Sequence, residues 1–535
     1  MYKNSLTTKP SKYNRFIIER SFFHLSFSRM LIKFTKCLSV SLFILLFFTQ
    51  IGYSQSLTPS SLFTDHMVLQ REMPVPIWGK AKAGEKITVT FDGQTKTTTT
   101  ASNGKWMLKL DPLKASAKGK ELIIKGSTSI TIKDVLVGEV WLCSGQSNMV
   151  FPRTNVKELT PLHMNAVSSK MPLRTFRVIE NIAFDPIDNA VGKWSTVPSE
   201  SAVAFGFSYY LQQAIGVPVG IIRSCWGSSS IEGWMPIELT AKLPHFAKNM
   251  KEFKQKDHGR VTKLMKLMEG KSNAAQNIKG TDNIFVRTRP NILYNAMMHP
   301  LAPFAMRGMV WYQGEANSKT FADHMNYQKS LPIWLRSLRK LWGQDFHFMA
   351  VMLPGFGKII TKGSTEYDSP KVFSWSSFRE AQLGVLKEPK TAVSNSIDLG
   401  LVGNIHPADK APIGKRLSLL AQKNIYKNNI IAQGPTYKKF KIKKDKFIIS
   451  FEHASGLKTK DGKAPSSFWL AGDDKKWYRA NAKIENEEIV LSAKEVALPK
   501  ACRYAFAAKP NVNLVNKAGL PAYPFRTDKW QLTKK

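Results

Sequence analysis

From residue 55 the chain alternates. In Lys86–Phe91 the apolar Ile87, Val89 and Phe91 are spaced by threonine, Asp92-Gly93 is a two-residue turn signal, and Gln94–Thr100 reads as the return strand. A second hairpin is expected around Asn103-Gly104, with Lys105–Leu110 alternating beyond it, and Leu122–Lys125 and Ser129–Lys133 add short strands. Turn signals between short strands, without helical periodicity, predict a small β-sandwich-like module over 55–133.

At Asp134 the texture changes. Val135–Cys143 is a nearly continuous apolar run, as a parallel strand buried on both faces requires, and Val217–Ser224, Met309–Tyr312, Phe346–Met352 and Thr391–Ile397 are similar. Between them Phe205–Ala214, Tyr327–Lys340 and Lys415–Asn424 carry the apolar spacing of amphipathic helices. The alternation predicts an α/β domain over 134–431, doubly wound around a mostly parallel sheet in three layers. A lysine-rich helical insertion is expected at about 240–285, where the methionines of Lys263–Met268 read as core filler. After Gln433-Gly434-Pro435 the period returns to two, with Phe440, Ile442, Phe447, Ile449 and Phe451 between lysines and serines, and later strands at Ile489–Leu491 and Tyr504–Ala508. Residues 432–535 therefore read as a second β module.

The first 54 residues differ from the rest. Lys33 and Lys36 precede the short apolar stretch Leu38–Phe48, and Gly52-Tyr53-Ser54 offers small residues for cleavage. This predicts a secretory signal over 30–54, too short for a membrane span, behind an over-extended start at 1–29. Export to the periplasm or beyond the cell follows, with no stable membrane insertion after cleavage.

The 535 residues carry a net charge of +39, which raises nucleic acid, membrane surface and polyanionic glycan as partners. Removing 1–54 takes out eight basic residues against one acidic, so most of the excess belongs to the folded chain. The lysines are spread throughout and no arginine-rich arm or zinc-knuckle spacing occurs, so nucleic acid is not expected as a partner. Four cysteines are too few for a disulfide scaffold. Cys143 and Cys225 are expected as buried thiols, and Cys502 has no assignable partner.

Chemistry is suggested by four loops, each following a predicted strand or leading into a helix. Ser144-Gly145-Gln146-Ser147-Asn148-Met149 places a serine at the carboxyl end of a buried strand, where α/β ligand sites form. Met149 departs from the G-x-S-x-G elbow and disfavours the α/β-hydrolase fold. Trp226-Gly227 could present a backbone N–H to an oxyanion, and Asn317 of Trp311–Asn317 a side-chain amide. Asn404-Ile405-His406-Pro407 holds a histidine before a helix. Serine, glycine, asparagine and histidine at one sheet edge form a kit for acyl transfer. His299 lacks any companion metal-ligand spacing and reads as structural, and no metal or cofactor is expected.

With these motifs the chain resembles the SGNH hydrolase superfamily, and more closely the sialate O-acetylesterase family of carbohydrate esterases. The carrying residues are GQSNM at 145–149, Trp226-Gly227, WYQGEAN at 311–317 and Ile405-His406-Pro407, with further likeness at Ile231–Met235, Leu293–Met297 and Pro524–Asp528. The resemblance implies an SGNH-type sheet, Ser147 as nucleophile and His406 as base. It also implies the Ser147 and Gly227 amides and the Asn317 side chain as oxyanion donors. Gln146, Gln313 and Glu315 are candidate substrate contacts, Glu315 also a candidate structural tie. Many superfamily members carry aspartate three residues before the histidine, where this chain has Gly403. Asp398 and a carbonyl of Asn404 are the two candidate orienters of His406. The implied activity is removal of O-acetyl groups from a sugar or glycan. O-acetylated sialic acid, an anion, suits the basic charge, and acetylated xylan or pectin suits the motifs equally. A non-catalytic protein binding anionic glycan is the rival reading.

Overall fold

A computed structural model of the chain describes residues 56–268, 278–357, 369–370 and 374–532. The signal expected over 30–54, the start at 1–29 and residues 269–277 of the insertion lie outside these. The fold is mixed α/β with several sheets. After two short strands at Thr58–Pro59 and Val68–Gln70 come β1 (Val75–Lys80), β2 (Lys86–Phe91) and β3 (Gln94–Thr99), and β2 and β3 form the expected hairpin, with Phe91 opposite Gln94. The second expected hairpin does not form. Strand β4 (Lys105–Leu110) leaves β3 and pairs with β1 instead, Leu108 against Ile77 and Leu110 against Val75. Burial explains the choice: Trp106, Leu108 and Leu110 need a covered face, and β3 buries no residue at all.

Strand β5 (Ser116–Lys125) pairs with β6, a 17-residue strand from Ser129 to Gly145. β6 runs through residue 134 without interruption. Its first residues are mostly exposed, and from Val135 onward every residue is buried. It thus carries the pairing of the first strands straight into the central sheet.

Around β6 are ranged β7 (Leu173–Val178), β8 (Gly192–Ser195), β9 (Val219–Cys225), β10 (Gly308–Tyr312), β11 (His347–Val351) and β12 (Thr391–Ser394). Their order is β8-β7-β9-β6-β10-β11-β12, parallel throughout except for the edge hairpin of β8 on β7. The strand earliest in sequence is central, and the chain winds to one side of it and then to the other. Helices α1 (Ser147–Val150), α2 (Ala202–Ile215), α3 (Phe321–Trp342), α4 (Ser374–Leu383) and α5 (Ala411–Asn424) connect them. The Ser201 side chain caps α2, and Thr320 with Asp323 forms a capping box on α3. Residues 237–240, 244–268 and 280–287 are helical, and Val261, Leu264 and Met268 are buried.

The last hundred residues form antiparallel sheets with their own buried cluster, including Phe447, Ile449, Ile489 and Leu491. Phe440 and Ile442 remain exposed, and the strand expected at 504–508 lies at Ala501–Tyr504. Arg379 of α4 ties this part to the central sheet: its buried guanidinium donates to the carbonyls of Leu353, Ala507 and Ala508. Cys143, Cys225 and Cys502 are buried free thiols, and burial pushes the Cys225 thiol up to about 11.

Candidate active site

Strands β9, β6 and β10 are neighbours, so the loops that follow them leave the sheet together, where the strand order reverses. Ser147 opens α1 directly after β6. The turn into it requires glycine, because Gly145 has φ 138° and a Cβ there would lie 2.1 Å from the Tyr312 carbonyl oxygen. After β9, Gly227 packs against the serine: a Cβ on it would come within 3.5 Å of Ser147 Cβ. Arg287 donates to the Gly227 carbonyl at 3.0 Å and holds that peptide in place.

His406 arrives from the far edge, beyond β12. Helix α5 packs closely on α2, where a Cβ on Gly414 would meet the Gly206 backbone at 2.8 Å. The loop ahead of α5 thereby falls over the serine, and His406 Nε2 stands 2.7 Å from Ser147 Oγ. Burial, and then the Lys410 ammonium, hold the imidazole below its ordinary pKa.

Neither candidate orienter is bonded to the imidazole. Both Asp398 oxygens are taken by Arg416, each at 2.7 Å, and Asn404 Oδ1 accepts the backbone N–H of His406 at 2.8 Å. The hydrogen bonds of His406 to described residues run through its backbone N–H and Nε2, and none through Nδ1. The second tie on the histidine loop comes from Asn148, which is fully buried beside the serine. Its Nδ2 donates to the Ile405 carbonyl at 3.1 Å and to the Glu315 carboxylate. One side chain therefore joins the serine loop, the 311–317 loop and the histidine loop. Beneath them Lys410 is wholly buried, its Nζ without a hydrogen-bond partner among the described residues, 5.1 Å from the Phe151 ring centre and 5.6 Å from that of Tyr312. Burial pulls its pKa down to about 8, opposed by the nearby Glu315 carboxylate. The Glu315 carboxyl is pushed up by the same burial, opposed first by the Asn148 hydrogen bond.

Gln146, Gln313 and Glu315, expected toward substrate, are all turned inward. Gln146 Oε1 accepts the Ala316 N–H at 3.2 Å, and Gln313 Nε2 donates to Ser229 O at 3.1 Å and Asn317 Oδ1 at 2.8 Å. The loops can lie this close only if their backbone groups find partners, and these side chains supply them. Asn317 shares the network: its Oδ1 also accepts the Ile231 N–H, and one Nδ2 hydrogen goes to buried Glu232 at 3.0 Å.

A cavity of about 470 Å³ opens over Ser147 and His406, walled by Phe151, Trp226, Gly227, Arg177, Glu180 and Arg287 among others. Asn317 is not among its lining residues. The sequence motifs did not point to Arg177 or Arg287, which lie in segments without a recognisable pattern; Asn148 stood in the serine motif without a role. A larger cavity, about 880 Å³, runs between β12 and the last strands, but it contains no serine–histidine pair. Among the described residues no cluster of three His, Cys, Asp or Glu side chains could hold a metal ion, and no helix is long and apolar enough to cross a membrane.

Residues 245–419 match the family described as carbohydrate esterase, sialic acid-specific acetylesterase. The chain is similar to human sialate O-acetylesterase, 26% identical over 84% of this chain and 88% of the human protein. The mouse sialate O-acetylesterase is 28% identical over 72% and 76%. The crystal structure of a carbohydrate acetylesterase from Xanthomonas citri superposes with a TM-score of 0.74 at 30% identity, over 88% of this chain and all of that one.

Proposed function

The chain belongs to the sialate O-acetylesterase family of carbohydrate esterases and is a carboxylic ester hydrolase, and from that premise we propose that Ser147 and His406 remove O-acetyl groups from sugars through an acetyl-enzyme. The observation that carries this reading is the 2.7 Å approach of His406 Nε2 to Ser147 Oγ at the mouth of a cavity. His406 takes the serine proton as Oγ attacks the acetyl carbonyl. The oxyanion is received by the amides of Ser147 and Gly227 and by the second Nδ2 hydrogen of Asn317. His406 returns its proton to the leaving sugar oxygen, then activates water, and acetate is released.

In this reading His406 is positioned through its backbone. Asn404 holds its N–H and Asn148 the carbonyl before it, in place of a carboxylate on Nδ1. Glu315 anchors Asn148 in that arrangement, accepting its second Nδ2 hydrogen.

Serine, glycine, asparagine and histidine in chain order support an SGNH-type arrangement of the central sheet in an esterase domain at 134–431, with flanking β modules at 55–133 and 432–535. The leader at 30–54 supports export. O-acetylated sialic acid is the first candidate substrate, and the two arginines on the cavity wall suit its charge; acetylated xylan and pectin are the alternatives. Acetate release from these three, by the protein and by its Ser147→Ala and His406→Ala variants, tests the reading. Activity that survives both substitutions refutes it.

A further inference from the structure

Three cations stand in one row across the sheet. In the strand register Lys193 of β8 faces Arg177 of β7, and Arg177 faces Arg223 of β9. Register partners on neighbouring strands project to the same face, about 4.8 Å apart. Like charges directly opposite one another are destabilising, so such a row needs an anion.

The chain supplies two carboxylates, neither in close contact: Glu180 Oε2 lies 3.9 Å from Arg177. Glu200 Oε2 lies 3.4 Å from Arg177 and 3.7 Å from Arg223, and its side chain is 66% exposed. The Arg223 side chain is only 5% exposed, and Glu200, its ion-pair partner, stands at 3.7 Å, beyond hydrogen-bond distance. Arg177 Nε is also buried, without a hydrogen-bond partner among the described residues. Guanidinium groups are forks of donors shaped for two-oxygen acceptors.

The row lines a cavity of about 490 Å³, with Lys193, Arg177, Arg223 and Glu200 in its wall. Arg177 also lines the cavity over Ser147, so the two spaces adjoin at that side chain. Arg223 lies beside Cys143, four residues before Ser147. One strand spacing plus four residues places the two Cα atoms no more than about 20 Å apart, within the span of a short oligosaccharide.

We infer that Arg177, Arg223 and Lys193 form a seat for an acidic group, a carboxylate or a sulfate ester, on the same glycan whose acetyl ester reaches Ser147. The seat rests on the esterase reading and deepens it: the substrate is a chain with acidic units, held at one cavity and cut at the next. Glu200 stands at the seat, with one carboxylate oxygen near both guanidiniums.

The test separates binding from turnover. Ser147→Ala protein is titrated calorimetrically with a galacturonate oligosaccharide, its carboxyl-reduced counterpart and a sulfated oligosaccharide of equal length. The acidic ligands are expected to bind at least tenfold more tightly than the reduced one. Adding Arg223→Gln should weaken acidic binding about tenfold, and adding Glu200→Gln should strengthen it, because a competing carboxylate is gone. Opposite signs from two neighbouring substitutions are not what loss of structure produces. Lys193→Ala, at an exposed position, keeps the test decisive should Arg223→Gln fail to fold: it too should weaken acidic binding, by about threefold. Preference for sulfate over carboxylate, or the reverse, identifies the acid. Equal binding of acidic and reduced ligands, or an unchanged affinity in Lys193→Ala and Arg223→Gln, overturns the seat. Failure of wild-type protein to release acetate from any ester refutes the esterase reading instead, and the two failures are read in separate experiments.

Discussion

Replacing Asn148 by alanine asks whether this side chain acts through His406. The change removes two hydrogen bonds, one to the Ile405 carbonyl at 3.1 Å and one to the buried Glu315 carboxylate. At about 1 kcal/mol for the neutral bond and about 1–3 kcal/mol for the charged one, stability should fall by about 2–4 kcal/mol. The catalytic cost is set by position. A displacement of about 1 Å between His406 Nε2 and Ser147 Oγ lowers the rate about 10²-fold, which is about 2.7 kcal/mol of barrier. The assay is hydrolysis of 4-nitrophenyl acetate by Asn148→Ala, His406→Ala and the double variant, below their melting temperatures. His406→Ala should lose about 10²–10⁴-fold in kcat/KM, the share of a general base. In that background Asn148→Ala should cost less than about twofold, because the group it positions is gone. Losses that multiply in the double variant would refute the argument and make Asn148 a structural residue only.

Ser147→Ala should abolish acetate release while the melting temperature changes little, and a serine-directed phosphonate should label Ser147; labelling elsewhere would reject the assignment. Asp398→Asn should leave kcat/KM within about threefold yet lower stability by about 1–3 kcal/mol, since it breaks the paired bonds to Arg416; a 10³-fold loss of activity would return Asp398 to the histidine. The base must be neutral, so kcat/KM rises with pH through the His406 pKa, which lies below its ordinary value. Lys410→Met removes a like charge, raises that pKa and should move the acid limb of the profile to higher pH; no movement would show that Lys410 does not act on His406. Activity should persist through prolonged chelation, and recovery only on added zinc would contradict the serine mechanism.

Element type was legible because it depends on local periodicity. The β2–β3 hairpin, the buried run that became β6, and helices α2, α3 and α5 could all be read from spacing. The serine, Gly227, Asn317 and histidine loops could also be found, because a chemistry-bearing residue just past a buried strand is a one-dimensional pattern. So was the thiol character of Cys143 and Cys225, which sit in apolar runs.

Which strands pair was not legible. β4 turned away from β3 to cover Trp106, Leu108 and Leu110, a choice between two faces that its own alternation serves equally well. The same limit hid the fate of the polar side chains. Gln146, Gln313 and Glu315 look available for substrate in the sequence, and only the convergence of three loops turns them into internal ties. Asp398 and Asn404 stood as equal candidates until Arg416, eighteen residues on, took the carboxylate, and Asn148 became a tie to the histidine loop although 257 residues separate it from Ile405. Lys193, Arg177 and Arg223 belong to three unremarkable segments and become a charged row through strand register alone. A sequence determines what each segment can bury. Which groups then meet is decided by strand order and register, because those contacts form only when distant segments share one core.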